Sequence, residues 1–358
     1  MCSAKSPDAA VYLHFPSKTD RIQADVLHYQ LSVLNYSVWQ NIIGHDSVAD
    51  QFRRAAERNR VNGSLLFVGP QGIGKKTFAF ALAKTLLCKS FKSETFEPCG
   101  ICESCRIFLS HPDFFYVCKP EDKSFIPLEL LIGSKEHRGR EGLCYEISRT
   151  PFMGKRKIAV IDDADFFNLE GANAMLKTLE EPPTNSLLIL IGTSATKQLP
   201  TIRSRCQIVR FAPLSKRNLA TILYEQKIVE SLETGLKIAT HADGRIETAK
   251  EIMDDKIASF RGELLRLLSS RNLDSFQLAK TVIEFVDSYG KEASLRRKCL
   301  RIVFSMVLQQ DRHELHKSDA AKDAVLVRRM DRTLDALDQI DRNVNLPYLI
   351  DAWVRDMV

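Results

Sequence analysis

The chain reads as an α/β protein whose parallel sheet carries a phosphate-binding loop and an inserted cysteine module, followed by an all-helical remainder. Three observations predict this. The short apolar runs Ser64–Val68, Lys157–Ile161 and Leu187–Ile191 lack the polar alternation of a strand with one wet face, so they belong to a sheet covered on both sides. Segments with helical spacing alternate with these runs, as successive βα units require. Beyond Pro213 the strand signals stop and helical spacing takes over.

At 358 residues, 44% hydrophobic and 27% charged, the chain is long enough for two or three domains, each with its own core. The net charge of +6 is spread over 51 basic and 45 acidic residues, so no basic tail singles out nucleic acid as a direct ligand. No run approaches the roughly 18 apolar residues of a membrane span, and the first residues lack the basic-then-apolar order of a secretory signal. The expectation is a cytoplasmic protein without a membrane partner. In a reducing compartment the nine cysteines read as thiols and metal ligands rather than disulfides. Cys2, Cys118, Cys144, Cys206 and Cys299 stand alone and read as incidental thiols.

Residues 1–38 show no sustained period and are read as an N-terminal extension with no assigned function. From Trp39 the pattern sharpens into a helix over Ser47–Arg60 and the strand Ser64–Val68. The run Gly69-Pro70-Gln71-Gly72-Ile73-Gly74-Lys75-Lys76-Thr77 follows at once, and Phe78, Ala81, Leu82, Thr85 and Leu86 continue it as a helix over Lys75–Leu87. A glycine loop between strand and helix turns backbone N–H groups and the helix N-terminus toward a phosphate, and Lys75 adds a neutralising charge. A hydroxyl for magnesium belongs at the next position. Lys76 stands there instead, with Thr77 one residue too late, so a second positive charge disfavours Mg-ATP.

Cys99, Cys102 and Cys105 place three thiolates within seven residues, and Cys88 closes the preceding helix. Four thiolates fill a tetrahedral Zn²⁺ shell with no position left for water, so the site reads as structural, with Gly100 easing the turn. His111, before Pro112, is a spare ligand that reads better as a loop residue.

The strand Lys157–Ile161 ends in Asp162-Asp163, the pair by which an ATPase holds magnesium and orients water. The second acid is the shorter Asp. A helix over Asn168–Glu181 stops at Pro182-Pro183, and Leu187–Ile191 leads to Thr193 and Ser194. Ser204-Arg205-Cys206 then precedes a strand over Gln207–Phe211. Strands alternating with helices gather ligands at their carboxyl ends.

Together, Gly69–Thr77, the cysteine quartet, Asp162-Asp163-Ala164-Asp165, the segment Asn173–Pro183 with its Leu-Glu-Glu-Pro-Pro ending, and Ser204-Arg205-Cys206 resemble the AAA+ subunits of bacterial clamp loaders over residues 39–255. The resemblance implies that Arg205 is an arginine finger reaching into a neighbouring subunit's ATP site, and that Thr193 or Ser194 is the polar sensor. Arg203 competes with Arg205, since in an extended segment both project from one face. The lid position of an arginine sensor falls on Glu247, two residues from Arg245. Lys76, Asp163 and Glu247 are departures in the chain's own ATP site, while Arg205 is intact.

The resemblance divides the chain into the extension 1–38, an AAA+ nucleotide-binding-like base over 39–212 with its zinc module at 88–105, a helical lid over 213–256 and a helical collar over 257–358. Arg296-Arg297-Lys298 and Arg328-Arg329 in the collar read as solvated helix faces. The implied role is a largely stationary subunit that assists hydrolysis in trans, joins the delta and gamma/tau subunits in a hetero-oligomeric ring, and helps place the sliding clamp on primed DNA. The chain holds no visible polymerase site, so nucleotidyl transfer belongs to the holoenzyme. One alternative is a gamma/tau-type ATPase motor; another is a zinc-stabilised, protein-binding scaffold outside replication.

Overall fold

The computed structural model describes residue 39 and residues 42–92, 96–120, 123–270, 274–315, 320–341, 344–355 and 357; the extension 1–38 lies outside them. Five strands, β1 (Gly63–Val68), β2 (Phe114–Val117), β3 (Lys157–Ile161), β4 (Ser186–Gly192) and β5 (Gln207–Arg210), form one sheet in the order β2-β3-β4-β1-β5. Every neighbouring pair is parallel, with Phe114 opposite Ile158, Ile158 opposite Leu187, Leu65 opposite Ile189, and Leu65 opposite Gln207.

Alternation along the strands explains the apolar runs. Leu65, Phe67, Ile158, Val160, Leu187 and Ile189 enter one core, and Leu66, Val68, Ala159, Ile161, Leu188 and Leu190 enter another, so each face needs its own helical cover. The first core takes Val48 and Phe52 from α1 (Asp46–Glu57) and Phe78, Leu82 and Leu86 from α2 (Lys75–Leu87). Trp39 stacks on Phe96 at 4.8 Å, and its Nε1 donates to Thr85 Oγ1 at 3.0 Å. After α3 (Glu103–Arg106), the second core takes Leu130 and Leu131 from α4 (Leu128–Ile132), Leu143 and Ile147 from α5 (Leu143–Ser148), and Met175 and Leu179 from α6 (Leu169–Glu180). Asn168 caps α6 by accepting the Gly171 N–H at 2.7 Å.

Within the sheet-bearing unit, two features depart from expectation. The strand β2 was not foreseen. Residues 200–203 form the one-turn helix α7 (Pro200–Arg203) rather than extended chain, because Pro200 at its start favours the turn; Arg203 and Arg205 therefore do not share a strand face. Beyond β5, α8 (Lys216–Glu225) and α9 (Leu232–Ala239) are capped by Ser215 and Ser231 and pack together, and α10 (Ile246–Ile252) follows.

The chain divides into two compact units, the first ending at Ile246 and the second running Glu247–Val358. The second contains α11 (Asp255–Leu268), α12 (Ser275–Ser288), α13 (Ala293–Leu315), α14 (Ala320–Asp341) and α15 (Leu346–Arg355). Phe260 stacks on Phe285 at 3.7 Å, and Phe304 meets Trp353 at 4.7 Å. Arg329 is not solvated as expected: its guanidinium grips the fully buried Asp311 carboxylate by two hydrogen bonds. Burial pushes the Asp311 carboxyl up, and Arg329 pulls it back. Thr333 Oγ1 donates to the Arg329 carbonyl at 2.8 Å and accepts Trp353 Nε1 at 3.1 Å, so one polar chain crosses α13, α14 and α15. Arg296 likewise pairs with Asp287 at 2.7 Å, while Arg328 is exposed. No helix among the described residues is long and apolar enough to cross a membrane.

Candidate nucleotide and metal sites

The phosphate loop follows β1 directly. Gly69 passes so close to β5 that a Cβ there would stand 2.4 Å from the Phe211 carbonyl oxygen, and Gly72 and Gly74 take φ of 73° and 97°, which favours glycine. Four of the loop's carbonyls are tied down. Lys75 Nζ donates to Gly69 O at 2.7 Å and Pro70 O at 2.6 Å, Ile246 N donates to Gly72 O at 2.9 Å, and His45 Nε2 donates to Ile73 O at 2.7 Å. Within one peptide plane C=O and N–H point opposite ways, so the amides of Gln71, Ile73 and Gly74 are turned away from these anchors, as an anion nest requires. Burial lowers the His45 pKa, which keeps the ring neutral between Phe78 and Phe211.

Because β1, β3 and β4 are neighbours, their carboxyl ends bring together three of the expected elements: the loop, Asp162-Asp163 and Thr193. Lys76 Nζ lies 3.9 Å from Asp162 Oδ2 and 4.8 Å over the Tyr116 ring. Tyr116 donates its hydroxyl to the same Oδ2 at 3.1 Å, and Asp162 Oδ1 accepts the Asp163 N–H at 3.0 Å. Burial, reinforced by Asp162, holds the Tyr116 phenol well above its usual range, so it remains a donor. Burial and then Asp162 push the Asp163 carboxyl up to about 6, against the pull of Lys119 and Lys76. Thr77 is exposed, Cys118 is half-buried behind these acids, and Thr193 is already committed. Its N–H and hydroxyl both donate to Asp165 Oδ2, at 2.8 and 2.6 Å, and Gln198 binds the other oxygen. Ser194 pairs with Thr196 at 2.7 Å.

Arg205 sits apart from this cluster. It precedes β5, whose Gln207 is level with Leu65, whereas the phosphate loop begins after Val68. In a parallel sheet that places Arg205 at the amino ends of the strands, about 20 Å of strand away from the chain's own loop. Its Nε donates to Glu180 Oε2 at 3.0 Å, and Nη1 to Thr201 O at 3.2 Å, on the rim of an open hollow of about 460 Å³ lined by Glu180, Ser204 and Arg205. Arg203 is exposed and reaches Ala195 O, at 3.5 Å.

The four cysteines converge, their sulfurs all within 4.8 Å of one another. Cys88 is the C-cap of α2 and its Sγ lies 3.8 Å from Cys102 Sγ, which matches the edge of a tetrahedron with metal–sulfur bonds of about 2.3 Å. Gly100, at φ 72°, makes the turn. Cys99 N donates to Cys88 Sγ and Cys102 N to Cys99 Sγ, both at 3.3 Å, the pattern that supports thiolates. Burial raises the Cys99 thiol, but the Cys102 and Ile101 amides outweigh it and hold the group down at about 6. His111 is spent: Nδ1 accepts the Asp113 N–H at 3.1 Å, leaving Nε2 to donate to Ser104 Oγ at 3.0 Å. The donor set could hold a metal ion.

Tyr116, Asp165, Gln198 and Glu180 are neighbours that sequence reasoning missed. Glu180 and Asp165 carried a signal, as parts of Leu-Glu-Glu-Pro-Pro and Asp162-Asp163-Ala164-Asp165, without a role being assigned to either.

A five-stranded parallel sheet with the phosphate loop after β1, the acid pair after β3 and a polar residue after β4 defines an AAA+ type of P-loop protein. Residues 44–215, just under half of the chain, match the family model described as DNA polymerase III, delta subunit. DNA polymerase III subunit delta' of Bacillus subtilis is 30% identical over 59% of this chain and 60% of its own, and that of Pseudomonas aeruginosa 36% identical over 39% and 40%. DNA polymerase III subunit tau of Salmonella typhimurium is 28% identical over 70% of this chain and 38% of its own. Over this region the chain is similar to clamp-loader subunits of DNA polymerase III, and its matches span 38% to 60% of these relatives' lengths.

Proposed function

We propose that this chain is the delta-prime-type, largely stationary subunit of a DNA polymerase III clamp loader. The observation that carries the reading is the placement of Arg205 at the opposite end of the sheet from its own phosphate loop, exposed enough to enter a neighbour's site. There the guanidinium would stabilise charge on the phosphoryl group being transferred. The chain's own site binds nucleotide through the loop amides and Lys75 and hydrolyses little, since Lys76 fills the metal position and Thr193 is held by Asp165.

The base over 39–212, the lid over 213–256 and the collar over 257–358 assemble with delta and gamma/tau subunits in a ring, set in the cytoplasm, that opens the sliding clamp and places it on primed DNA. Zn²⁺ on Cys88, Cys99, Cys102 and Cys105 staples the base; with four thiolate ligands it is structural. Delta, gamma/tau, clamp and primed DNA, assembled with this chain, give the decisive test. Arg205→Ala should cut the clamp-dependent ATPase rate at the adjoining site at least about a hundredfold with assembly intact; an unchanged rate overturns the reading. The gamma/tau-type motor is a second reading, favoured by the anchored phosphate loop and the match to a tau subunit; it requires turnover by the isolated chain.

A further inference from the structure

Magnesium does not fit the acid end of this nucleotide site, and the residues present say what replaces it. The Lys76 ammonium stands 3.9 Å from Asp162 Oδ2, over Tyr116 at 4.8 Å and Phe80 at 5.9 Å. Phe80 is four residues on along α2, directly beside Lys76 on the helix surface, so the two ring faces and the carboxylate hold the charge from three sides. Each Asp162 oxygen already accepts one hydrogen bond from the chain, Oδ2 from Tyr116 and Oδ1 from the Asp163 amide. Thr77, the nearest hydroxyl on α2, is turned about 100° from position 76 and is exposed. A divalent ion bound at Asp162 would lie within a few ångströms of the Lys76 ammonium, which stands where a serine or threonine hydroxyl would ligate it.

We infer that Lys76 is the cation of this site, standing in for the divalent metal, so that the loop takes a nucleoside triphosphate free of metal. The inference rests on the reading that the loop binds nucleotide, and is independent of the role given to Arg205. Lys75 and the loop amides receive one part of the polyphosphate and Lys76 another, while the acid that would hold magnesium is neutralised from within the chain. With Lys76 in the metal's place and the shorter Asp163 in the place of the water-orienting acid, binding is followed by little turnover.

The test is equilibrium binding of ATP to the zinc-loaded full chain in metal-stripped buffer, with and without millimolar Mg²⁺; a chelator is avoided so that the cysteine site keeps its ion. The wild-type chain should bind metal-free ATP, and Mg²⁺ should weaken binding about tenfold or more as free ATP is converted to its complex. Lys76→Thr, which supplies the hydroxyl and removes the charge, should reverse the sign of the Mg²⁺ effect. Lys76→Met should lose metal-free binding without gaining the Mg²⁺-dependent kind, and thermal unfolding confirms that both variants fold. Tighter wild-type binding with Mg²⁺, or a Lys76→Thr variant with the wild-type profile, overturns the inference. So does the absence of ATP binding under both conditions, a result that leaves the trans action of Arg205 standing.

Discussion

Asp113→Ala should be the most damaging single substitution near the start of β2. The Asp113 carboxylate is fully buried and accepts three backbone N–H bonds, from Phe152 at 2.6 Å and from Met153 and Gly154 at 2.8 Å. Its carbonyl also accepts the Ile158 N–H at 2.9 Å, the first rung between β2 and β3. Each hydrogen bond to a charged acceptor contributes about 1.5–3 kcal/mol, so three lost together would cost at most about 5–9 kcal/mol. The loop is only half-buried and Phe152 is exposed, so water recovers part of this; the expected loss is about 3–4 kcal/mol. Asp113→Asn keeps the shape and part of the acceptor capacity and should cost about 2 kcal/mol. The chain's two tryptophans make this measurable, since Trp39 belongs to the first unit and Trp353 to the second. In a Trp353→Phe background, urea unfolding followed by Trp39 fluorescence reports the first unit alone. A loss below about 1 kcal/mol for Asp113→Ala would refute the reasoning and leave the backbone ladder alone to register β2 on β3.

Two further outcomes follow from the same kind of accounting. With Zn²⁺ in the cysteine quartet as proposed, the chain should carry one zinc, and chelation or Cys102→Ala should abolish it and lower the stability of the first unit by several kcal/mol, read by elemental analysis and the Trp39 transition. In the second unit, Arg329→Met should strand the buried Asp311 and cost about 3–5 kcal/mol by the Trp353 transition, while the double variant with Asp311→Leu should recover most of it.

The strands β1, β3 and β4 were legible because each is buried on both faces, which writes an unbroken apolar run into the sequence. Helix α2 and the cysteine quartet were legible because their spacing is local. The strand β2 escaped because Phe114–Val117 is four residues long, too short for a period, and α4 and α5 escaped for the same reason. The site's polar economy was hidden for another reason. Lys76 meets Asp162, Thr193 meets Asp165, and Arg205 meets Glu180 only through the sheet order, which no local pattern encodes. The sequence marked Lys76 as a misplaced charge; that the charge already had a carboxylate and two rings around it required the fold.

Helix α2 begins at the phosphate loop, and its C-cap, Cys88, is a thiol of the quartet. Its 13 residues therefore act as a ruler about 20 Å long with a fixed phase. Inserting or deleting one residue anywhere in it would swing Cys88 through about 100° relative to Lys75 and shift it by about 1.5 Å. Loop and quartet could not then both keep their geometry, so the length of this helix is quantised by chemistry at its two ends, whatever side chains line its middle.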